Sequence, residues 1–177
     1  MATIFGHALV AGTISWVSKP NKKLLLWCCL SSMLPDADVI GFYFDIAYGS
    51  LFGHRGFTHS LFFALLWALL VKTLIFKDVK NNTKQSVIII LLLFIATASH
   101  GVLDACTTGG KGVAFLSPFS NHRYFFPWQF IQVSPIGASK FMSERGLAIL
   151  INEGLFLGLP CFIALVLTKI KVNKKAA

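Results

Sequence analysis

From Ser86 to Ser99 the chain is almost purely aliphatic, and the run closes on His100 and Asp104 before Cys106. A helix needs about 20 apolar residues to cross a bilayer core roughly 30 Å thick. In lipid every backbone polar group has to be satisfied internally, which leaves helices and closed barrels as the spanning structures. A second long apolar run covers about Leu147 to Thr168, and three others precede them: Ile4 to Val17, Leu24 to Phe44 with Pro35 inside it, and Ser60 to Phe76. These runs predict an all-α fold, a polytopic membrane helical bundle of about five apolar segments, forming one integral-membrane domain over residues 1–177. Composition agrees: 13% of the residues are charged, against about 25% in a soluble domain, and the mean hydropathy is +0.71.

Local signals refine the segments. Proline lacks an N–H and clashes with the preceding turn, so Pro35 either stops or kinks the second segment. Cut there, segment two is too short to span, as is segment one. Thr58 or Ser60 is expected to cap the third helix. Region 107–145 reads as the longest non-helical piece. The first lysine, Lys19, follows the first apolar run, so no cleavable leader is expected. Cys28, Cys29, Cys106 and Cys161 form no C-x-x-C pair, and all four are expected to be small buried hydrophobes.

The formal net charge of +9 would suggest nucleic acid in a soluble protein. Here the lysines sit between and after the apolar runs, and no nucleic-acid partner is expected. If the segments cross alternately, loop 19–23, region 72–84 and tail 169–175 fall on one face and hold most of the 16 Lys and Arg residues. By the positive-inside rule that face is cytoplasmic. The opposite face receives His7, Asp36, Asp38, His54, His59, His100, Asp104 and the long loop. The expected location is therefore the cell (inner or plasma) membrane, multi-pass, with an extracytoplasmic site.

The converging residues have ligand chemistry. His54-Arg55-Gly56-Phe57-Thr58-His59-Ser60 places two imidazoles about a glycine. His100 and Asp104 are four apart and share a helix face. Asp36 and Asp38 would diverge on a regular helix, yet after Pro35 both can reach the site. Nitrogen and oxygen donors without thiolate suit zinc, with manganese or iron as alternatives, in a site with open positions. The candidate metal ligands are His7, Asp36, His54, His59, His100 and Asp104, enough for two or three ions. Singly, each has a blander explanation: His7 as a packing histidine, Asp36 as a turn residue, H-x-x-x-D as a helix-surface pair. Their convergence, and the cost of several kcal/mol for ionisable groups inside a membrane, favour a site. His122, in Ser120-Asn121-His122-Arg123, reads as a polar loop residue. Arg55 and Arg123 suit an anion clamp, with pairing to Asp36 or Asp38 as the alternative for Arg55. The tryptophans and phenylalanines read as lipid-facing, interfacial or core residues.

The chain resembles the YdjM-like family of membrane-bound, metal-dependent hydrolases. The resemblance rests on Gly6-His7-Ala8, Leu34-Pro35-Asp36-Ala37-Asp38, the His54–Ser60 stretch, His100-Gly101-Val102-Leu103-Asp104 with Thr107-Thr108-Gly109-Gly110, and Ser117-Pro118-Phe119-Ser120 through Arg123. More distantly it is similar to zinc-dependent phospholipase C and related zinc nucleases. That similarity implies His7, Asp36, His59, His100 and Asp104 as ligands. The chain lacks their N-terminal Trp ligand, its first tryptophan being Trp16, and their downstream H-x-x-x-E.

The expected activity is metal-dependent hydrolysis of a phosphoester, with an anionic, lipid-like substrate. Asp38 would orient a water or accept its proton, and Arg55 or Arg123 would bind phosphate oxygens. One rival is a lipid phosphatase with a histidine nucleophile, whose upstream Arg and Ser-Gly-His are missing here. Another is a non-enzymatic membrane metal-binding, transport or scaffold protein.

Overall fold

Side-chain caps start the helices of the chain. A computed structural model describes residues 1–18, 21–81, 83–135 and 141–176; Lys19 and Pro20 of the first basic loop lie outside the described residues, as do 136–140 of the long loop. Thr3 accepts from Gly6 N and opens α1 (Ile4–Val17). Asn21 accepts from Leu24 N and opens α2 (Lys22–Met33). Ser60, not Thr58, caps α3 (Leu61–Ile75) by accepting from Phe63 N. Thr83 caps α4 (Lys84–Ala105). Ser143 caps α5 (Glu144–Glu153), which passes through a π turn (Gly154–Gly158) into α6 (Leu159–Ala176). Each cap satisfies an N–H that the helix itself cannot.

Pro35 ends the α-helical geometry of segment two without ending the segment itself. The chain passes from α2 into a 3₁₀ helix over Leu34–Phe44, with Pro35 in its first turn, and Asp45 closes it at φ 54°. Lys22–Phe44 is thereby continuous, and with Lys84–Ala105 and Glu144–Lys171 it is long and apolar enough to cross a membrane; Ile4–Val17 and Leu61–Ile75 are shorter apolar helices.

Helices α1 and α2 pack together and both pack on α4; α3 lies on α4, and α6 leans on α1. The contacts use small side chains: Ala11, Cys28, Ala64, Ala68 and Ala96 are all buried. Such residues let membrane helices approach closely. A Cβ on Gly12 would lie 3.2 Å from Cys29 Sγ. Large apolar side chains such as Leu65, Leu69, Ile88 and Leu91 point outward instead, a surface suited to lipid rather than water. All four cysteines are free. Cys28 and Cys161 are buried as expected, while Cys29 and Cys106 are only partly so.

The two ends of the bundle differ. At one end Lys23 Nζ donates to Ile75 O at 2.6 Å and sits 5.0 Å from the Phe76 ring centroid, tying the start of α2 to the end of α3. The His and Asp residues collect at the other end. There residues 106–135 run without helix or strand, save two isolated bridges, Thr107 with Ile131 and Val113 with Tyr124. This stretch is pinned by Ala114 N to Arg55 O at 3.0 Å, Leu61 N to Phe115 O at 3.1 Å and Phe126 N to Ala105 O at 2.9 Å.

Candidate metal centre

Three elements deliver four buried donors to one point. The 3₁₀ helix supplies Asp36, the short turn Phe57–His59 supplies His59, and one face of α4 supplies His100 and Asp104. One ligand atom from each lies within 4.8 Å of the others, and all four residues are buried. His59 Nε2 is 3.0 Å from His100 Nε2. Asp36 Oδ1 is 3.3 Å from His100 Nε2 and 3.6 Å from His59 Nε2. Asp104 Oδ2 is 3.6 Å from His59 Nε2 and 3.9 Å from His100 Nε2. Zinc bonds of about 2.0–2.1 Å to nitrogen and oxygen put tetrahedral neighbours about 3.3–3.4 Å apart. The donor set brackets that edge length.

The outer contacts aim these donors. His100 Nδ1 donates to Ser32 O at 2.6 Å, which leaves the Nε2 lone pair facing the cluster. His59 Nδ1 faces Asp38 Oδ2 at 3.1 Å, with the same consequence. Backing groups on the far ring nitrogen are the usual way a ligating histidine is oriented. Asp38 also takes His54 Nδ1 at 2.6 Å, Thr58 Oγ1 at 2.7 Å and Arg55 N at 3.2 Å. In a 3₁₀ helix residues two apart project about 120° from each other. Asp36 therefore enters the four-donor cluster, while Asp38 turns to the 54–59 loop. Asp38, His54 and His59 form a second group with ligand spacing.

His7 stacks on His100 with ring centroids 3.7 Å apart and planes 14° apart. Its Nε2 lies 3.6 Å from Asp104 Oδ1 and 4.0 Å from Asp36 Oδ2. Both its ring nitrogens and both Asp36 oxygens are buried without a hydrogen-bond partner. Buried polar groups are nearly always paired, so this concentration of orphaned donors and acceptors fits a cation among them. Burial alone pushes the His59 imidazole toward neutrality, but the surrounding carboxylates of Asp104, Asp36 and Asp38 outweigh this and hold its pKa well above the ordinary value.

The arginines are placed differently from one another. Arg55 is fully buried in a left-handed backbone conformation, φ 62°. Its guanidinium pairs with neither Asp36 nor Asp38: Nε lies 3.0 Å from Asp104 Oδ2, although its N–H is not aimed along that line. Its other nitrogens donate to Gly109 O at 2.9 Å and Thr107 Oγ1 at 3.0 Å. Arg123 donates to His54 O at 2.9 Å and Tyr48 O at 2.8 Å, and its Nε is buried with no partner. His122 is exposed and meets the Tyr124 ring edge-on, apart from the cluster. A wide apolar cleft of about 1090 Å³ lies between α1, α2 and α6, and of the cluster's ligands it holds none.

One residue escaped the sequence reading. Glu153, at the end of α5, is buried and accepts from both Thr3 N and Thr3 Oγ1. Next to it Ala2 N donates to Asp104 Oδ1 at 2.9 Å. Glu153 thus anchors the segment that touches a ligand. An acidic residue within an apolar helix was the available signal.

A helical bundle with three helices long and apolar enough to cross a membrane, and a buried His/Asp cluster at one end that could hold a metal ion, is the architecture of an integral membrane protein. The chain belongs to the YdjM inner membrane protein family, whose model matches residues 3–176. It is 41% identical over 165 residues to the inner membrane protein YbcI of Escherichia coli (strain K12), covering 90% of this chain and 92% of that protein. No solved structure matches.

Proposed function

We propose that this chain is a metal-dependent hydrolase of a phosphoester, holding its ion with Asp36, His59, His100 and Asp104. The observation that supports this is the set of four buried donor atoms within 4.8 Å of one another, amid buried polar atoms that no protein group satisfies. The donors suit zinc, with manganese or iron next, and His7 flanks the same carboxylates on their other oxygens, where a second ion would sit. When bound, such an ion supplies water activation near neutral pH and stabilises charge on phosphoryl oxygens.

The chain's own residues then take separate roles. Asp38 is occupied by four donors, so it serves to fix the tautomers of His54 and His59. The buried Arg55 guanidinium offsets the Asp104 charge and holds the 107–109 backbone. Arg123, with a free Nε beside the His54 carbonyl, is the better placed of the two to meet an anionic substrate. By the positive-inside rule the site opens on the extracytoplasmic side.

One observation favours a second reading, a membrane metal-binding protein without turnover: none of the four ligands exceeds 6% exposure. Metal analysis of the detergent-purified protein, with bis(p-nitrophenyl) phosphate hydrolysis on the same samples, separates the two. Bound transition metal with turnover, both lost in Asp104→Ala while the variant stays folded, supports the hydrolase. Bound metal without hydrolysis of this or other phosphoesters supports the second reading, and no metal even after zinc or manganese is added sinks both.

A further inference from the structure

The site also has an approach of its own. Six aromatic rings form a continuous track from the flank of α3 to the loop between the two site histidines. Trp67 stacks on Phe63 with centroids 6.4 Å apart, and Phe63 meets Phe57 at 5.7 Å. Phe57 contacts Phe52 at 6.0 Å and Phe62 at 6.4 Å, and Phe62 meets Phe119 at 5.4 Å. The track is open at its loop end, where Phe119 is 81% and Phe52 63% exposed, while Phe57, Phe63 and Trp67 are half-buried along it. Such rings on a water-facing loop would be costly. From Gly56 to Val71 the chain has no Lys, Arg, Asp or Glu.

Two features say what covers this track. Its lower end is continuous with the outward leucines of α3, Leu65 and Leu69 among them, on the surface that an inner membrane protein turns to lipid. Toward the site it reaches Phe57, which opens the 3₁₀ turn whose last residue is His59, with Phe52 beside it. A lipid chain lying on the track would therefore have its polar head at the 54–59 loop, where the unpartnered Nε of Arg123 also lies.

We infer that the site takes a lipid phosphoester laterally from the surrounding leaflet, with an acyl chain on the track from Trp67 through Phe63 and Phe57 to Phe52. This rests on the phosphoesterase reading for the identity of the head group, but the lipid contact itself needs neither metal nor turnover. The flat rings supply chain contact without polar selection, so specificity would reside in the head group.

Lipid contact is tested with brominated phospholipids, whose acyl bromines quench tryptophan on contact. The four native tryptophans are replaced by phenylalanine, and Phe57→Trp, Phe52→Trp and Phe119→Trp are placed singly in that background. Each protein is reconstituted in phosphatidylglycerol vesicles with plain or brominated chains. A loss of at least half the Phe57→Trp and Phe52→Trp emission in the brominated vesicles is expected, with or without a chelator. Quenching of Phe119→Trp alone would mean that the loop only anchors the protein at the interface, and would overturn lateral entry. No quenching at any position would overturn it too. If Phe57→Trp elutes aggregated, Phe52→Trp decides alone. A negative result here with metal bound and phosphoester turnover intact would leave the hydrolase reading standing for a water-soluble substrate.

Discussion

His59 Nε2 and His100 Nε2 face each other at 3.0 Å, and each ring is held from behind at Nδ1, by Asp38 and by Ser32 O respectively. With both Nδ1 atoms acting as donors, two neutral rings would meet lone pair to lone pair. Either a cation lies between them or His59 carries a second proton. We expect the wild-type protein to purify with at least one transition-metal equivalent. His59→Ala and His100→Ala should retain essentially none, as read by elemental mass spectrometry. Retention by both variants would place the ion elsewhere.

Asp38 touches the cluster only through histidines. Asp38→Asn keeps the size but cannot accept from both rings as a carboxylate does. Loss of such a backing group costs about 10–100-fold in metal affinity. A competition titration against a chromophoric chelator should show that loss, with stoichiometry unchanged. Loss of stoichiometry would instead make Asp38 a ligand.

The protonation of His59 gives opposite pH slopes with and without metal. Its folded pKa is raised above the unfolded value of 6.5. In the metal-free protein its contribution to stability is fully present below that value and is lost as pH rises through the folded pKa. A metal must displace this proton, so metal affinity should rise with pH, and proton release should accompany binding near neutrality. Melting temperatures in detergent, measured across that window with chelator or with zinc, should diverge as pH rises. Parallel curves would mean that His59 neither titrates nor ligates.

Much of this arrangement is legible in the sequence, for reasons that differ by residue. His100 and Asp104 share a helix face by spacing alone, and His7, Asp36 and His59 follow from alternate crossing of apolar segments. The division of labour between Asp36 and Asp38 is not legible, because it depends on the switch to 3₁₀ geometry after Pro35. Arg55 finds Asp104 far along the chain, through a left-handed backbone that no local pattern announces. The path of residues 106–135 is set by isolated backbone bonds rather than by periodicity, so only its length and polarity could be anticipated.

Glu153 and Thr3 join the last apolar stretch to the first helix. Glu153→Leu leaves the Thr3 N–H and hydroxyl buried without an acceptor, at a cost of about 1–3 kcal/mol per group. Glu153→Gln keeps one acceptor oxygen and should lose less. Thermal unfolding in detergent should rank wild type above Glu153→Gln above Glu153→Leu. Equal stabilities would show that the Thr3 segment is not held by this side chain.

Gly110 offers a sharper test of the support beneath the ligands. Its φ of +94° disfavours any side chain, and a Cβ there would lie 2.6 Å from Arg55 Nη1 and 2.9 Å from the Tyr48 hydroxyl. Arg55 could yield only by leaving Gly109 O or moving relative to Asp104. Gly110→Ala should therefore cost about 1–3 kcal/mol, within the range for a strained backbone position, and should weaken metal binding. Gly154 is the matched control: nothing lies within 4 Å of a Cβ built there, and its backbone is right-handed helical, φ −56°. Gly154→Ala should be neutral or stabilising by up to about 1 kcal/mol. If both variants melt alike and both keep full metal affinity, then Arg55 does not set the position of Asp104, and Ala2 N and the helix hold the carboxylate without it.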